Sequence, residues 1–178
     1  MADEPQFAPI QVYLTVKGAD AASKFYQKAF GAKENQRQLG PDQKRLIHVD
    51  MAVFGGSLMF SDEFPEGGHG EVDTLSPPTR GGASVTIHVN LPKAGEVNRV
   101  MKAAAKAGAR ITLPGEATFW GAYYGRLIDP FGHSWSFGAP ADKPAAAALP
   151  ASAAKPAKKT AKAKAKPAKA KSSRSGKR

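Results

Sequence analysis

Residues 54–60, Phe54-Gly55-Gly56-Ser57-Leu58-Met59-Phe60, and residues 131–137, Phe131-Gly132-His133-Ser134-Trp135-Ser136-Phe137, are two copies of one pattern set 77 positions apart. Each copy is an aromatic residue, a glycine turn and a short alternating run of the kind that forms a β-strand. The likeness extends outward. Gly31-Ala32 and Gly108-Ala109 keep the same offset, and each pair ends a stretch of helical spacing, which in the first copy is Ala22, Phe25, Tyr26, Ala29 and Phe30. Ahead of the helices the offset becomes 73, pairing Tyr13-Leu14-Thr15-Val16 with Thr86-Ile87-His88-Val89, so the second copy has about four more residues around its helix. A pattern that recurs once at such spacing marks a duplicated unit.

Periodicity fills in the rest. Residues 10–16 alternate as a strand and 19–30 form a helix, with further strands at 33–39, 45–53 and 57–61 and turns at Gly40-Pro41-Asp42 and Gly55-Gly56. After a Gly- and Pro-rich stretch from 62 to 82 the order restarts, with a strand at 83–89, a helix at 93–107 and strands near 109–113, 123–128 and 133–137. The reading is α+β: two βαβββ modules, about 8–62 and 82–138, in one domain of residues 1–140.

From residue 141 the chain is a different polymer, almost entirely Ala, Lys, Pro and Ser, with Leu149 its one large aliphatic residue. It carries twelve lysines and arginines against Asp142, a net +11, while residues 1–140 hold fourteen basic and fourteen acidic groups. The whole net charge therefore lies in residues 141–178. That composition buries too little apolar surface to offset chain entropy, and the segment is expected to be a disordered basic tail.

There is no cysteine, which excludes disulfides, thiolate metal sites and cysteine nucleophiles. The first residues, MADEPQFAPI, lack the basic and apolar regions of a signal peptide, and no apolar run is long enough to span a bilayer. A cytoplasmic protein with no membrane association is expected.

Three stretches, YLTVKGADAASKFYQKAFGA at 13–32, GSLMFSDE at 56–63 and FWGAYYGRLIDPFGHSWSF at 119–137, resemble the vicinal oxygen chelate superfamily of glyoxalases, bleomycin-resistance proteins and dioxygenases, and within it the PhnB-like proteins. The resemblance covers about residues 8–138. It implies a curved mixed sheet around a cavity, helices outside, and a homodimer. Members include metal-dependent enzymes and metal-free sequestering proteins, so the fold leaves the function open. In the metal-dependent members four ligands come from the first and last strand of each module. By alignment those positions are Gln11, Met59, Ser84 and Ser136, and the internal repeat relates Gln11 to Ser84 and Met59 to Ser136. An amide, a thioether and two hydroxyls bring neither imidazole nor charge to offset an ion's lost hydration. Neither a metal nor another cofactor is expected.

Side-chain alternation then describes the implied cavity. On the first strand Val12, Leu14 and Val16 form the apolar face and Gln11, Tyr13 and Thr15 the other; on the matching strand Val85, Ile87 and Val89 oppose Ser84, Thr86 and His88. His88 is the titratable imidazole of that polar wall, with a satisfied structural histidine as the plainer reading. Phe119, Trp120, Tyr123, Tyr124 and Arg126 suggest a clamp for a planar or anionic ligand at the cavity mouth, or else rings packed in the core or a dimer interface. Asp129-Pro130-Phe131-Gly132 reads as a structural type I turn. His48 and Asp50 share a face and read as solvent-facing or network residues. Residues 62–82 are long enough for a mobile lid, and His69 and Glu71 within them reach a metal site only by rearrangement.

The tail resembles those of linker histones. Its lysines, Lys155, Lys158, Lys159 and Lys162 and then Lys164, Lys166, Lys169 and Lys171, suit sequence-independent contact with nucleic acid phosphates. Three functions are compatible with this chain. The leading one is a metal-independent small-molecule-binding protein, sequestering or sensing an unidentified ligand, with a nucleic-acid-binding tail. The rivals are a glyoxalase-like lyase or resistance enzyme using a divalent metal, and a nucleoid-associated structural protein with a vestigial pocket. Whether the chain is an enzyme stays open.

Overall fold

Residues 10–66 and 75–141 are described by a computed structural model of the chain. The first module is β1 (Val12–Val16), α1 (Ala19–Phe30), β2 (Lys33–Leu39), β3 (Leu46–Val53) and β4 (Gly56–Asp62). A short helix α2 (Pro77–Arg80) precedes the second module, β5 (Thr86–Asn90), α3 (Ala94–Lys106), β6 (Arg110–Ala117), β7 (Ala122–Ile128) and β8 (Ser134–Pro140). Each module contributes a four-stranded mixed sheet, ordered β1-β4-β3-β2 and β5-β8-β7-β6. In both, the module's first strand pairs in parallel with its last, Tyr13 opposite Met59 and His88 opposite Ser136. The α+β duplication read from the repeat is the architecture observed.

The departures from the expected elements have local causes. The β5 ladder begins at Thr86, so Val85, expected on the apolar face with Ile87 and Val89, is 70% exposed. Strand β6 runs past residue 113 to Ala117 through two irregularities in its register with β7, one between Ile111 and Leu113 and one across Pro114-Gly115. The stretch 62–82, expected to be a lid, is anchored at both described ends. Asp62 and Glu63 are buried, and Glu63 accepts hydrogen bonds from the Ser76 amide (2.9 Å), the Ser76 hydroxyl (2.7 Å) and Thr79 Oγ1 (2.7 Å). A buried carboxylate of this kind requires its donors in place, and it fixes α2 against the body of the domain. His69 and Glu71 lie outside the described residues, as do the eight tail lysines.

Helix α1 starts at Gly18 without a side-chain cap of its own. Asp62, at the end of β4, supplies the missing acceptor: Oδ1 takes the amides of Gly18 and Ala19 and Oδ2 that of Leu46, all at 2.8 Å. A carboxylate there satisfies orphan amides and suits the positive end of the helix. The buried face of α1 carries Phe25, Tyr26 and Phe30, which reach the second module. Phe30 lies 4.9 Å from the Trp135 ring centroid, and Tyr26 5.8 Å. One hydrophobic cluster thus spans both modules.

The modules are pinned by Asp129, which is 3% exposed. Its Oδ1 accepts the amides of Phe131 and His133 at 2.9 Å; its Oδ2 accepts the Tyr26 hydroxyl at 2.8 Å and Trp135 Nε1 at 2.9 Å. All four partners are donors, so both oxygens act as acceptors. Burial, with the Asp129 carboxyl beside it, pushes the Tyr26 phenol well above its usual range, and it stays a donor. Gly132 completes the turn at φ 89°, and a β-carbon there would stand 2.9 Å from Cβ of Pro77, so α2 packs on the bare glycine.

Replacing Asp129 with Ala strands four donors and is expected to cost at least about 3 kcal/mol in urea denaturation, against about 1–2 kcal/mol for Tyr26→Phe. Equal losses for the two would mean that the carboxyl acts through Tyr26 alone.

Candidate functional site

Strands β1 and β5 each bond to one neighbour, β4 and β8, and lie at sheet edges. Between them is a cleft of about 610 Å³. Gln11, Tyr13 and Thr15 line one side, and Ser84, Thr86 and His88 the other; Val12, Leu14, Val85 and Ile87 supply apolar surface. Leu75, Pro77 and Arg80 from the α2 segment and His133 from the Asp129 turn complete the lining.

Six residues expected on the cavity wall therefore come together, and the other six do not share this cleft. Met59 stands beside Tyr13 in the ladder but lines none of the cavities found among the described residues. Ser136 is 2% exposed and lies beneath His88, its Oγ 2.9 Å from Nδ1. Arg126 lines an adjoining cavity of about 680 Å³ that shares Pro77, Gly82, Ala83, Ser84 and Thr86 with the cleft. Trp120 and Tyr124 line a third, about 500 Å³, which meets the cleft at His88. Phe119 packs edge-on against Trp120 at 4.8 Å and lines none of these.

Tyr123 faces the other way. Its hydroxyl is 2.8 Å from Asn98 Nδ2 on α3 and donates to the Gly115 carbonyl at 2.7 Å, on the helix-covered side of the sheet. Strand alternation is the reason: Tyr124 opposes Gly138 and Arg126 opposes Ser136, so Tyr124 and Arg126 share a face that Tyr123 cannot.

His88 is exposed on the cleft side but oriented from behind. Besides Ser136, its Nε2 lies 3.1 Å from Asn90 Oδ1, and its ring stacks on Tyr124 at 6.0 Å. A β-carbon on Gly138 would come within 2.9 Å of its Cε1, so the imidazole sits over bare backbone. These contacts orient it as a polar edge of the cleft. His48 and Asp50 are network residues: Asp50 accepts from Ser57 (2.6 Å) and Asn35 (3.0 Å), which hold its carboxyl below the usual range.

A model of the Glyoxalase/Bleomycin resistance protein/Dioxygenase superfamily matches residues 7–137. The chain belongs to this superfamily. An uncharacterized protein of Mycobacterium bovis, Mb0911c, is 39% identical over 137 residues, 77% of this chain and 84% of that one. Among solved structures, TioX from Micromonospora sp. ML1 is 26% identical with a TM-score of 0.53, covering 76% of this chain and 98% of its own. A PhnB protein from Bacillus cereus, described as a putative 3-demethylubiquinone-9 3-methyltransferase, shares the fold at 19% identity and a TM-score of 0.55, covering 73% and 98%.

Metal-dependent members of the glyoxalase superfamily place a divalent ion at the positions held here by Gln11, Met59, Ser84 and Ser136. This donor set does not fit one. Only Gln11 and Ser84 line the cleft, Ser136 is committed to His88, and no anionic or imidazole group stands at any of the four. No group of three or more His, Cys, Asp or Glu side chains among the described residues is placed to hold a metal.

Leu75, Pro77, Arg80 and His133 line the cleft without a signal in the strand pattern. Arg80 and Leu75 lay in the presumed lid, with no periodicity to place them. His133 was legible in principle, because it adjoins the turn whose glycine repeats at Gly55. Its Nε2 donates to the Thr15 carbonyl at 3.0 Å, tying the second module to β1.

Burial, partly opposed by the Asp129 carboxyl, holds the His133 imidazole below its usual value of 6.5. The folded protein keeps it neutral while the unfolded chain protonates first as pH falls. Its stabilising contribution is complete above pH 6.5 and is lost as pH drops through and below that value. Between pH 7.5 and 5, His133→Gln is expected to lose less stability than the parent protein in urea denaturation; parallel losses would assign the pH dependence elsewhere.

Proposed function

We propose that the protein binds a small organic molecule in the cleft between β1 and β5, without a metal ion, as a sequestering or sensing module. The observation that carries this reading is a ligand-sized cleft whose wall is built from an amide, hydroxyls, a fixed imidazole and aliphatic carbons. Its volume lies in the range of pockets that hold drug-sized ligands, with a mostly apolar surface and a few convergent polar groups. A metal-dependent lyase or resistance enzyme needs charged ligands that the four superfamily positions lack. The homodimer belongs to the same proposal, as does a cytoplasmic location. For the latter, no helix among the described residues is long and apolar enough to cross a membrane.

Titration of the full chain with nickel, zinc, manganese and magnesium is expected to leave the melting temperature unchanged and to elicit no hemithioacetal isomerisation. A stoichiometric shift accompanied by activity would make this a metalloenzyme.

The tail carries a second proposal, on the strength of its +11 charge beside a neutral domain. We propose that its lysines bind nucleic acid phosphates without reading sequence. Retention of duplex DNA is expected to fall steeply with salt, roughly as the power of the phosphates neutralised, and to vanish when residues 141–178 are deleted. Retention unchanged by the deletion would sink both this and the nucleoid-structural reading.

A further inference from the structure

We propose that the ligand of the cleft carries an uncharged planar aromatic ring, which lies against Trp120 and Tyr124 in the cavity that meets the cleft at His88. This rests on the reading of the cleft as a small-molecule site and names the class of molecule it takes.

Two large rings stand outside the core. Phe25, Tyr26, Phe30, Trp135 and Phe137 are buried, whereas Trp120 is 59% exposed and its neighbour Phe119 45%. The turn that carries them is closed by buried Thr118, whose amide and hydroxyl both donate to the Ala122 carbonyl at 2.7 Å and whose hydroxyl accepts the Ala122 amide at 3.1 Å. Gly121, at φ 88°, donates to the Thr118 carbonyl at 3.2 Å and accepts the Ala141 amide at 3.1 Å. A contiguous pair of rings held in water on so braced a turn marks a binding contact.

The geometry of the rings leaves a place for another. Phe119 meets Trp120 at 4.8 Å and 90°, and Tyr124 meets it at 6.1 Å and 68°. Among the described residues no ring lies parallel to the indole, so the stacked position on it is open to a third ring. Tyr124 in turn stacks on His88 at 6.0 Å, and a β-carbon on Gly138 beside them would come within 2.9 Å of the imidazole. Trp120, Tyr124 and His88 border one cavity of about 500 Å³, together with Asn90, Leu91 and Pro140.

The lining sets the charge and the shape of the occupant. No Asp, Glu, Lys or Arg among the described residues lines this cavity, so a charged ring would lose hydration there without meeting an opposite charge. A flat ring makes a stacked contact with an indole that a rounded aliphatic body of the same size cannot. His88 belongs to both hollows, and Val12 and Ile87 lie along the cleft beyond it, offering a surface for the rest of the molecule. That continuity favours a small molecule on these rings over a second copy of the chain.

The test titrates the full chain with 1-aminoanthracene, a flat uncharged fluorophore, and follows its emission. Trp120→Leu and Tyr124→Leu, which keep apolar bulk and remove the ring, are each expected to weaken binding about tenfold, while Trp120→Phe keeps most of it. Trp120 is exposed, so its replacement leaves the fold in place. Adamantan-1-ol, uncharged and apolar but without a flat face, is expected to compete at least tenfold less well than quinolin-2-one. Absence of binding, or equal competition by the two, would overturn the aromatic class. Affinity indifferent to both Leu substitutions would overturn it too, and Ser84→Trp, which fills the cleft, then decides the rest: loss of the probe keeps the cleft as a site, and no change removes it. A dimer in sedimentation that Trp120→Leu separates, with probe affinity unchanged, would give the rings to a second copy and overturn the proposal.

Discussion

A carboxyl group buried in a protein needs a donor for each acceptor position, and Asp129 finds four: two amides of its own turn, the indole of Trp135 and the hydroxyl of Tyr26. Three come from the second module and one from the helix of the first. That single reach across the molecule sets how deep α1 sits against β8, with Phe30 and Tyr26 against Trp135. Because α1 carries β1 with it through Asp62, and the Asp129 turn carries His133 to the Thr15 carbonyl, the separation of β1 from β5 follows. The cleft is thus a dependent feature, its width set by a network that touches no ligand.

What the cleft can do is limited by what lines it. Divalent-ion chemistry in this superfamily depends on charged ligands at strand ends, and here those places hold side chains that hydrogen-bond but do not coordinate strongly. The His88 imidazole stays exposed at the cleft while Ser136 and Asn90 hydrogen-bond it and Tyr124 stacks on it. Under the proposed binding function, the cleft recognises its ligand by shape and by hydrogen bonds from Gln11, Ser84, Thr86 and His88.

The fold was largely legible because duplication doubles the signal: a weak strand in one copy is supported by its counterpart in the other. Helix α1 and strand β2 matched their expected bounds, being framed by Gly18, Gly31 and Gly40, whereas β5 and β6 shifted where pairing with β8 and β7 set the limits. The site was legible only on the first strand of each module, where alternation alone assigns a face. Tyr123 was grouped with Arg126 because they are close in sequence, although two-residue periodicity separates them. Arg80 was hidden because its position follows from contacts of Glu63 with residues more than ten positions later, and long-range contacts leave no periodic trace.

The tie between Tyr26 and Asp129 spans 103 residues, and it bears on how the chain is made. All five elements of the first module have been synthesised by Asp62, and Tyr26 and Phe30 then have Phe60 and Phe54 to meet, but their contacts with Phe131, Trp135 and Phe137 await the last residues of the second module. During synthesis the α1 rings therefore have only their first-module partners until the ribosome has reached Trp135. The duplicated architecture suggests two units that mature independently, but the Tyr26–Asp129 bond leaves the first unit's packing incomplete until the second is made.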